Sequence, residues 1–257
     1  MIDLSDLCGL PIQFDNDNST FLLSEDLSCE GEIKVKLSEI TPILLNKYLR
    51  YPEFVYTHRR NISSKDFFCD GVSYDLMHIP FGLLGIEYIK THVYYSDRVE
   101  GKYDCIVEVL QGEMTVVLQK IEPKLDEWQY NTGVEDLSII VLRKGHKLAI
   151  PTGYFYTFVN TGSVRLLISR ISAIHRHAPV DYEILKREKG LACYIISKNA
   201  KIETVANPKY KVPAKLKPTS MTTFIEKKSQ DESQKQIFKT KEPLAKMIDN
   251  IKSFVLL

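Results

Sequence analysis

Net charge is nearly missing from this sequence, with 34 Lys and Arg against 33 Asp and Glu. A chain that binds nucleic acid by neutralising phosphates carries a basic excess, so no nucleic-acid partner is expected. Long hydrophobic runs are missing too. None approaches the roughly 18 residues of a membrane span, so no membrane partner is expected. Yet 44% of the residues are apolar, too many for a disordered chain. Met1-Ile2-Asp3-Leu4-Ser5-Asp6 lacks the basic stretch and apolar core of a secretory leader. Cysteine is sparse and odd in number: Cys8, Cys29, Cys69, Cys105 and Cys193, with no CxxC pair. That excludes a zinc knuckle, suggests no disulfide framework, and leads us to expect a cytoplasmic protein with reduced thiols. There is no GxGxxG, P-loop or GxSxG, so nucleotide-cradling and nucleophile-elbow chemistry have no local support.

What is present is a long series of short β-type runs. Residues 1–32 are acidic, weakly patterned and read as an N-terminal extension. Ser38–Leu49 has apolar residues at helical spacing, with Ser38 as N-cap and Pro42 near the start. From residue 54 the pattern predicts strands over 54–58, 73–79, 85–95, 103–110, 113–119, 137–143, 147–150, 154–160, 164–172, 192–197 and 201–205. Gln111-Gly112-Glu113 reads as a hairpin, and Arg143–His146 and Asn160–Ser163 as further tight turns. An all-β barrel or sandwich follows. Residues 211–257 read as a C-terminal strap ending in an amphipathic helix over 243–254.

Within this frame are Thr91-His92-Val93-Tyr94-Tyr95, the run Cys105 to Glu113 through Gln111-Gly112, the segment Lys144-Gly145 to Pro151-Thr152-Gly153-Tyr154-Phe155-Tyr156, and Val159-Asn160-Thr161-Gly162. Lys36-Leu37-Ser38, Asp181-Tyr182, Asn207-Pro208-Lys209-Tyr210 and Lys241-Glu242-Pro243-Leu244 extend it on both sides. This pattern resembles the cupin-type glucose-6-phosphate isomerases of archaea and bacteria, over about residues 33–257. The resemblance implies a cupin domain over 33–210, a double-stranded β-helix or jelly-roll barrel with short N- and C-terminal helices. It also implies a homodimer built through the barrel sheets and the N-terminal arm, for which the apolar strand 164–174 is suited.

The family holds a divalent metal such as Fe, Mn, Ni or Zn with three histidines and a glutamate, which polarise the sugar while a base moves the proton. At those four positions stand Val93, Tyr95, Cys105 and Tyr156. Shifting the first strand by one residue places His92 and Tyr94 inward instead, which still leaves one imidazole and no carboxylate. No metal cofactor is therefore expected.

Several residues remain as weaker candidates. His92, or His175 and His177 beside Arg176, would serve a relocated metal site, although solvated loop histidines are the plainer reading. Cys105, Tyr156 and Tyr182 are the candidate catalytic groups; an inward cysteine is more often a small buried apolar residue. Tyr94, Tyr95, Tyr156 and Tyr182, with Tyr154 and Phe155, either line a sugar-phosphate pocket or fill the space a metal left. Arg98 and Lys102 would attract a phosphate. The expected function is a diverged family member that lost metal-dependent isomerisation and kept a binding or structural role. The alternatives are an active glucose-6-phosphate isomerase of glycolysis and gluconeogenesis, or a metal-free enzyme of another class.

Overall fold

The computed structural model describes residues 1–65, 71–95, 103–122, 132–173, 182–212 and 242–247. Near the N-terminus are β1 Ile2–Asp3, β2 Ile12–Asp15, β3 Thr20–Leu23 and β4 Gly31–Lys36. Next come β5 Phe54–Arg60, β6 Val72–Ile79, β7 Leu83–Leu84, β8 Glu87–Tyr88, β9 Tyr94–Tyr95, β10 Tyr103–Gln111, β11 Glu113–Ile121 and β12 Thr132–Arg143. The series ends with β13 Lys147–Pro151, β14 Phe155–Asn160, β15 Leu166–Ala173, β16 Cys193–Lys198, β17 Lys201–Ala206 and β18 Tyr210–Lys211.

The barrel is made of two facing sheets. One has the order β13-β10-β15-β6-β5-β4 and the other β18-β12-β11-β14-β9. The turns explain this arrangement. Gly112 does not close a hairpin as expected, because β10 pairs with β13 and β15 while β11 pairs with β12 and β14. The chain instead crosses from one sheet to the other there. A side chain at Gly112, whose φ is +90°, would stand 2.9 Å from the Arg165 carbonyl oxygen. Only glycine tolerates both conditions. The turns at 143–146 and 160–163 also join strands of different sheets. At the second, Asn160 Nδ2 donates to the carbonyls of Ile79, Pro80 and Val164, each at 3.0 Å. Repeated sheet-to-sheet corners between antiparallel strands give the all-β jelly-roll barrel expected from the sequence.

Alternation then decides which residues fill it. Met77, Val107, Val109, Val116, Leu118, Phe158 and Ile168 belong to the inner core. On the other face of the six-stranded sheet, Tyr74, Leu76, Ile106, Leu167 and Ile171 form a second core with Ile12, Phe14 and Phe21. The last three come from the antiparallel sheet β1-β2-β3, so the N-terminal residues are folded onto the barrel. Burying a phenylalanine such as Phe14 or Phe21 stabilises by about 1.5–3 kcal/mol. Every residue of β6 and β15 is consequently buried within this one chain. The apolar character of β15 therefore needs no second subunit to explain it.

The early helix is shorter than its pattern suggests. One helical turn, α1 Ser5–Cys8, precedes it; α2 covers Leu37–Ile40 and a 3-10 turn Thr41–Ile43. Leu44 is extended, and the Leu45 amide donates to Glu87 Oε2 at 3.0 Å, so a tertiary bond replaces the next helical one. A further helix, α3, spans Tyr182–Glu188. Of the C-terminal helix, residues 244–247 form a 3-10 turn, and 248–254 lie outside the described residues. Pro243 packs on Gly9, and the Leu244 amide donates to Glu108 Oε2 at 3.0 Å. Glu108 is also paired with Lys147 at 2.8 Å, and both are buried. Among the described residues no helix is long and apolar enough to cross a membrane.

Candidate functional site in the barrel interior

The inward row of β6 contains Asp75, and the inward row of β15 contains Arg170 directly opposite it. Both are buried, so each must find its counter-charge inside the protein. Arg170 Nη2 lies 2.9 Å from Asp75 Oδ2, and His58 Nε2 from β5 lies 3.1 Å from the same oxygen. The Asn61 amide donates to Asp75 Oδ1 at 3.0 Å, and Ser73 Oγ donates to it as well. Burial is the largest influence and works against the Arg170 charge, but Asp75 together with Tyr156, Tyr94 and Cys105 outweighs it, and the guanidinium is held well above its usual range. Burial lowers the His58 pKa against the opposing bond to Asp75.

Rings complete the cluster. The Arg170 guanidinium sits 5.0 Å from the Tyr94 ring, a cation–π distance. Tyr94 packs on Tyr156 and Phe158 with centroids 5.4 and 5.9 Å away. The Tyr56 hydroxyl lies 2.7 Å from His92 Nδ1 and 3.3 Å from the Tyr94 hydroxyl. The Tyr156 hydroxyl donates to Asp104 Oδ2, with Cys105 Sγ 3.3 Å away. Burial raises the Tyr94 hydroxyl, and burial with the Asp104 charge raises Tyr156 well above the phenol range. Burial lowers His92. Tyr94 and Tyr156 therefore carry no negative charge near neutral pH.

The structure brings Tyr94, Tyr156 and Cys105 together and adds His92 to them through Tyr56. It sets Tyr95 apart: register pairs Tyr95 with Phe155 and Tyr94 with Tyr156, and the Tyr95 and Phe155 rings stack at 4.2 Å. His146 is exposed, as its turn position implied. Tyr154 donates to Asp136 at 2.6 Å. Arg98, Lys102, His175, Arg176, His177 and the Tyr182 side chain lie outside the described residues. Sequence reading missed Arg170, Asp75, His58, Tyr56 and Asp104. For Asp75 and Arg170 a signal was there: each is a charged residue within a mostly apolar run, 72–79 and 166–173.

The metal that the resemblance implies does not fit these residues. Val93 offers no lone pair, Tyr95 stacks away from the cluster, and Tyr156 holds its proton against Asp104. Among the described residues the carboxylate–imidazole ion pair is Asp75 with His58, and it already has the Arg170 cation on it. Among the described residues no group of three or more His, Cys, Asp or Glu is placed to hold a metal ion.

Two sheets, antiparallel but for the β12–β18 pair, closed around a single interior with the Asp75–Arg170 cluster on inward strand positions, define a cupin. The chain belongs to the family described as Glucose-6-phosphate isomerase (GPI), whose model matches residues 50–211, more than half of the sequence. No curated protein matches it. Among solved structures, a Drosophila melanogaster CENP-C cupin domain is 17% identical, over 46% of this chain and 69% of that one, with a TM-score of 0.30. An RmlC-like cupin family protein with a double-stranded β-helix fold from Methanocaldococcus jannaschii is 18% identical, over 41% and 72%, with a TM-score of 0.27. Peruvianin-I, a cysteine peptidase from Thevetia peruviana latex, is 14% identical with a TM-score of 0.27. The match covers 41% of this chain and spans about half of the peptidase, 53% of its length. Likenesses of this size carry no argument about activity.

Proposed function

We propose that this chain is a metal-free member of its family in which glucose 6-phosphate isomerisation has been lost and the barrel serves a binding or structural role. One observation carries this reading: the interior is occupied by a cluster, Arg170–Asp75–His58 with Tyr94 and Tyr156, whose charged and phenolic groups engage one another. Aldose–ketose isomerisation moves a proton between neighbouring carbons, so it needs a base and an electrophile facing the sugar. Here the acid that would act as base is neutralised by an arginine, and the phenol beside Cys105 is a donor to Asp104. Removing the ligand set removes the Lewis acid and its orientation together.

The test is metal analysis of the purified chain and a coupled isomerase assay with manganese, iron, nickel or zinc added in turn. We expect no stoichiometric metal and no turnover above the uncatalysed rate. Turnover that a chelator abolishes would overturn the proposal and restore the active-isomerase reading. A thermal-shift screen with sugar phosphates reads whether the binding role uses the family's ligand class. We extend the proposal to a homodimer, from the family resemblance, and to the cytoplasm, from the cysteine usage; sedimentation of the purified chain reads the first.

A further inference from the structure

The outer face of the six-stranded sheet is not wholly covered by the N-terminal sheet. Toward β4 the side chains of Lys34, Thr57 and His78 stand in one row across three strands, fixed by the registers Lys34 to Thr57 and Thr57 to His78. A groove of about 630 Å³ opens over this row, walled by the β2–β3 turn, Phe54, Phe81 and Arg165. That volume lies within the few hundred to about 1,000 Å³ common for small-molecule sites.

Its charges are unbalanced. Glu32 is the only acid among the described residues lining it, and Arg59 Nε holds that carboxylate at 2.9 Å. Arg165 donates through Nη1 to the Asn16 carbonyl at 3.0 Å and lies over the Phe14 ring. Neither Arg165 nor Lys34 has a carboxylate at ion-pair distance among the described residues. His78 is 4% exposed, and its Nδ1 has no hydrogen-bond partner among the described residues. A buried imidazole nitrogen left in that state is costly, and it lines the groove. Burial and the Arg165 charge bring His78 down to about 4, so it faces the groove as a neutral ring able to donate or accept. Phe54 and Phe81 are 39% and 60% exposed, large apolar surfaces at the same opening.

We propose that this groove binds a small organic anion, a carboxylate or phosphate head on a ring or alkyl body. The head meets Lys34 and Arg165 with Thr57 and His78 as hydrogen-bond partners, and the body lies on Phe54 and Phe81. The site is on the opposite side of the sheet from the Asp75–Arg170 cluster and does not depend on the fate of the isomerase chemistry.

The experiment titrates the full chain with phenyl phosphate, benzoate, inorganic phosphate and benzyl alcohol, following the histidine ring resonances by NMR. At least one of the two aromatic anions binds saturably and shifts His78, and the tighter one identifies the head group. It binds at least about tenfold tighter than inorganic phosphate and than benzyl alcohol, since neither supplies both halves of the recognition. Lys34→Glu weakens it at least about tenfold and Phe81→Ser about threefold or more. Both residues are exposed, so an unchanged unfolding midpoint certifies the variants. The proposal falls if neither aromatic anion saturates, or if both variants bind like the wild-type chain. It also falls if sedimentation shows a dimer that Lys34→Glu dissociates, because a second copy then occupies the groove.

Discussion

Strand β6 has two sides that treat charge in opposite ways. Its inner side presents Asp75 to a closed interior, where Arg170, His58, Ser73 and the Asn61 amide surround the carboxylate. Its outer side presents His78 to an open groove, where the one lining acid among the described residues, Glu32, is held by Arg59, and Lys34 and Arg165 have no carboxylate of their own. The difference follows from solvent. A charge sealed from water is tolerated only when a partner replaces the hydration it lost, so the interior is a self-consistent set. At the groove, water and salt screen the cations, and complementarity is left for something outside the chain.

The strongest way to break this contrast is to remove one half of the inner pair. Asp75→Asn leaves the Arg170 charge buried without its counter-charge, and we expect about 3–5 kcal/mol of lost stability in denaturant unfolding. Adding Arg170→Met should recover most of it; a double variant as unstable as the single would mean that the pair is not the unit of stability.

Acid sharpens the contrast less severely. The folded pKa of His78, about 4, lies below the unfolded value of about 6.5, and His58 and His92 are lowered in the same direction. Between those two values the unfolded chain binds a proton that the folded chain refuses, so stability is full above pH 6.5 and falls as pH drops. Each such histidine contributes a slope of up to about 1.4 kcal/mol per pH unit. Unfolding midpoints measured at pH 7.5 and pH 5 should show the drop, and His78→Gln should flatten it; an unaltered slope would place the proton elsewhere. The smallest effect belongs to the groove rim. Lys34→Glu should move stability by less than about 0.5 kcal/mol, because an exposed side chain with no built partner contributes little to folding.

Most strands between 54 and 206 were legible because β-branched and aromatic runs alternate with turn residues there. The sheet-to-sheet crossing at Gly112 was not, since a tight glycine turn looks the same whether its strands pair or part. The N-terminal sheet was missed for another reason: Ile12–Asp15 and Thr20–Leu23 are four residues each, too short for a period to register. The inner site was half visible. Tyrosines draw notice in a sequence, and Tyr94 and Tyr156 do meet. An isolated Arg170 within Leu166–Ala173 gives no hint of its partner until pairing sets Asp75 opposite. Val93 and Tyr95 show the converse, positions read from family spacing whose side chains cannot do the family's work.

The seat of Leu244 on Glu108 has a bearing on how the molecule comes off the ribosome. The acceptor is translated 136 residues before its donor amide. Until then the second apolar cluster lacks Leu244 and Ala245, two of its buried members. A chain cut short before residue 242 would therefore leave Glu108 without that amide and part of the second apolar cluster without its cover.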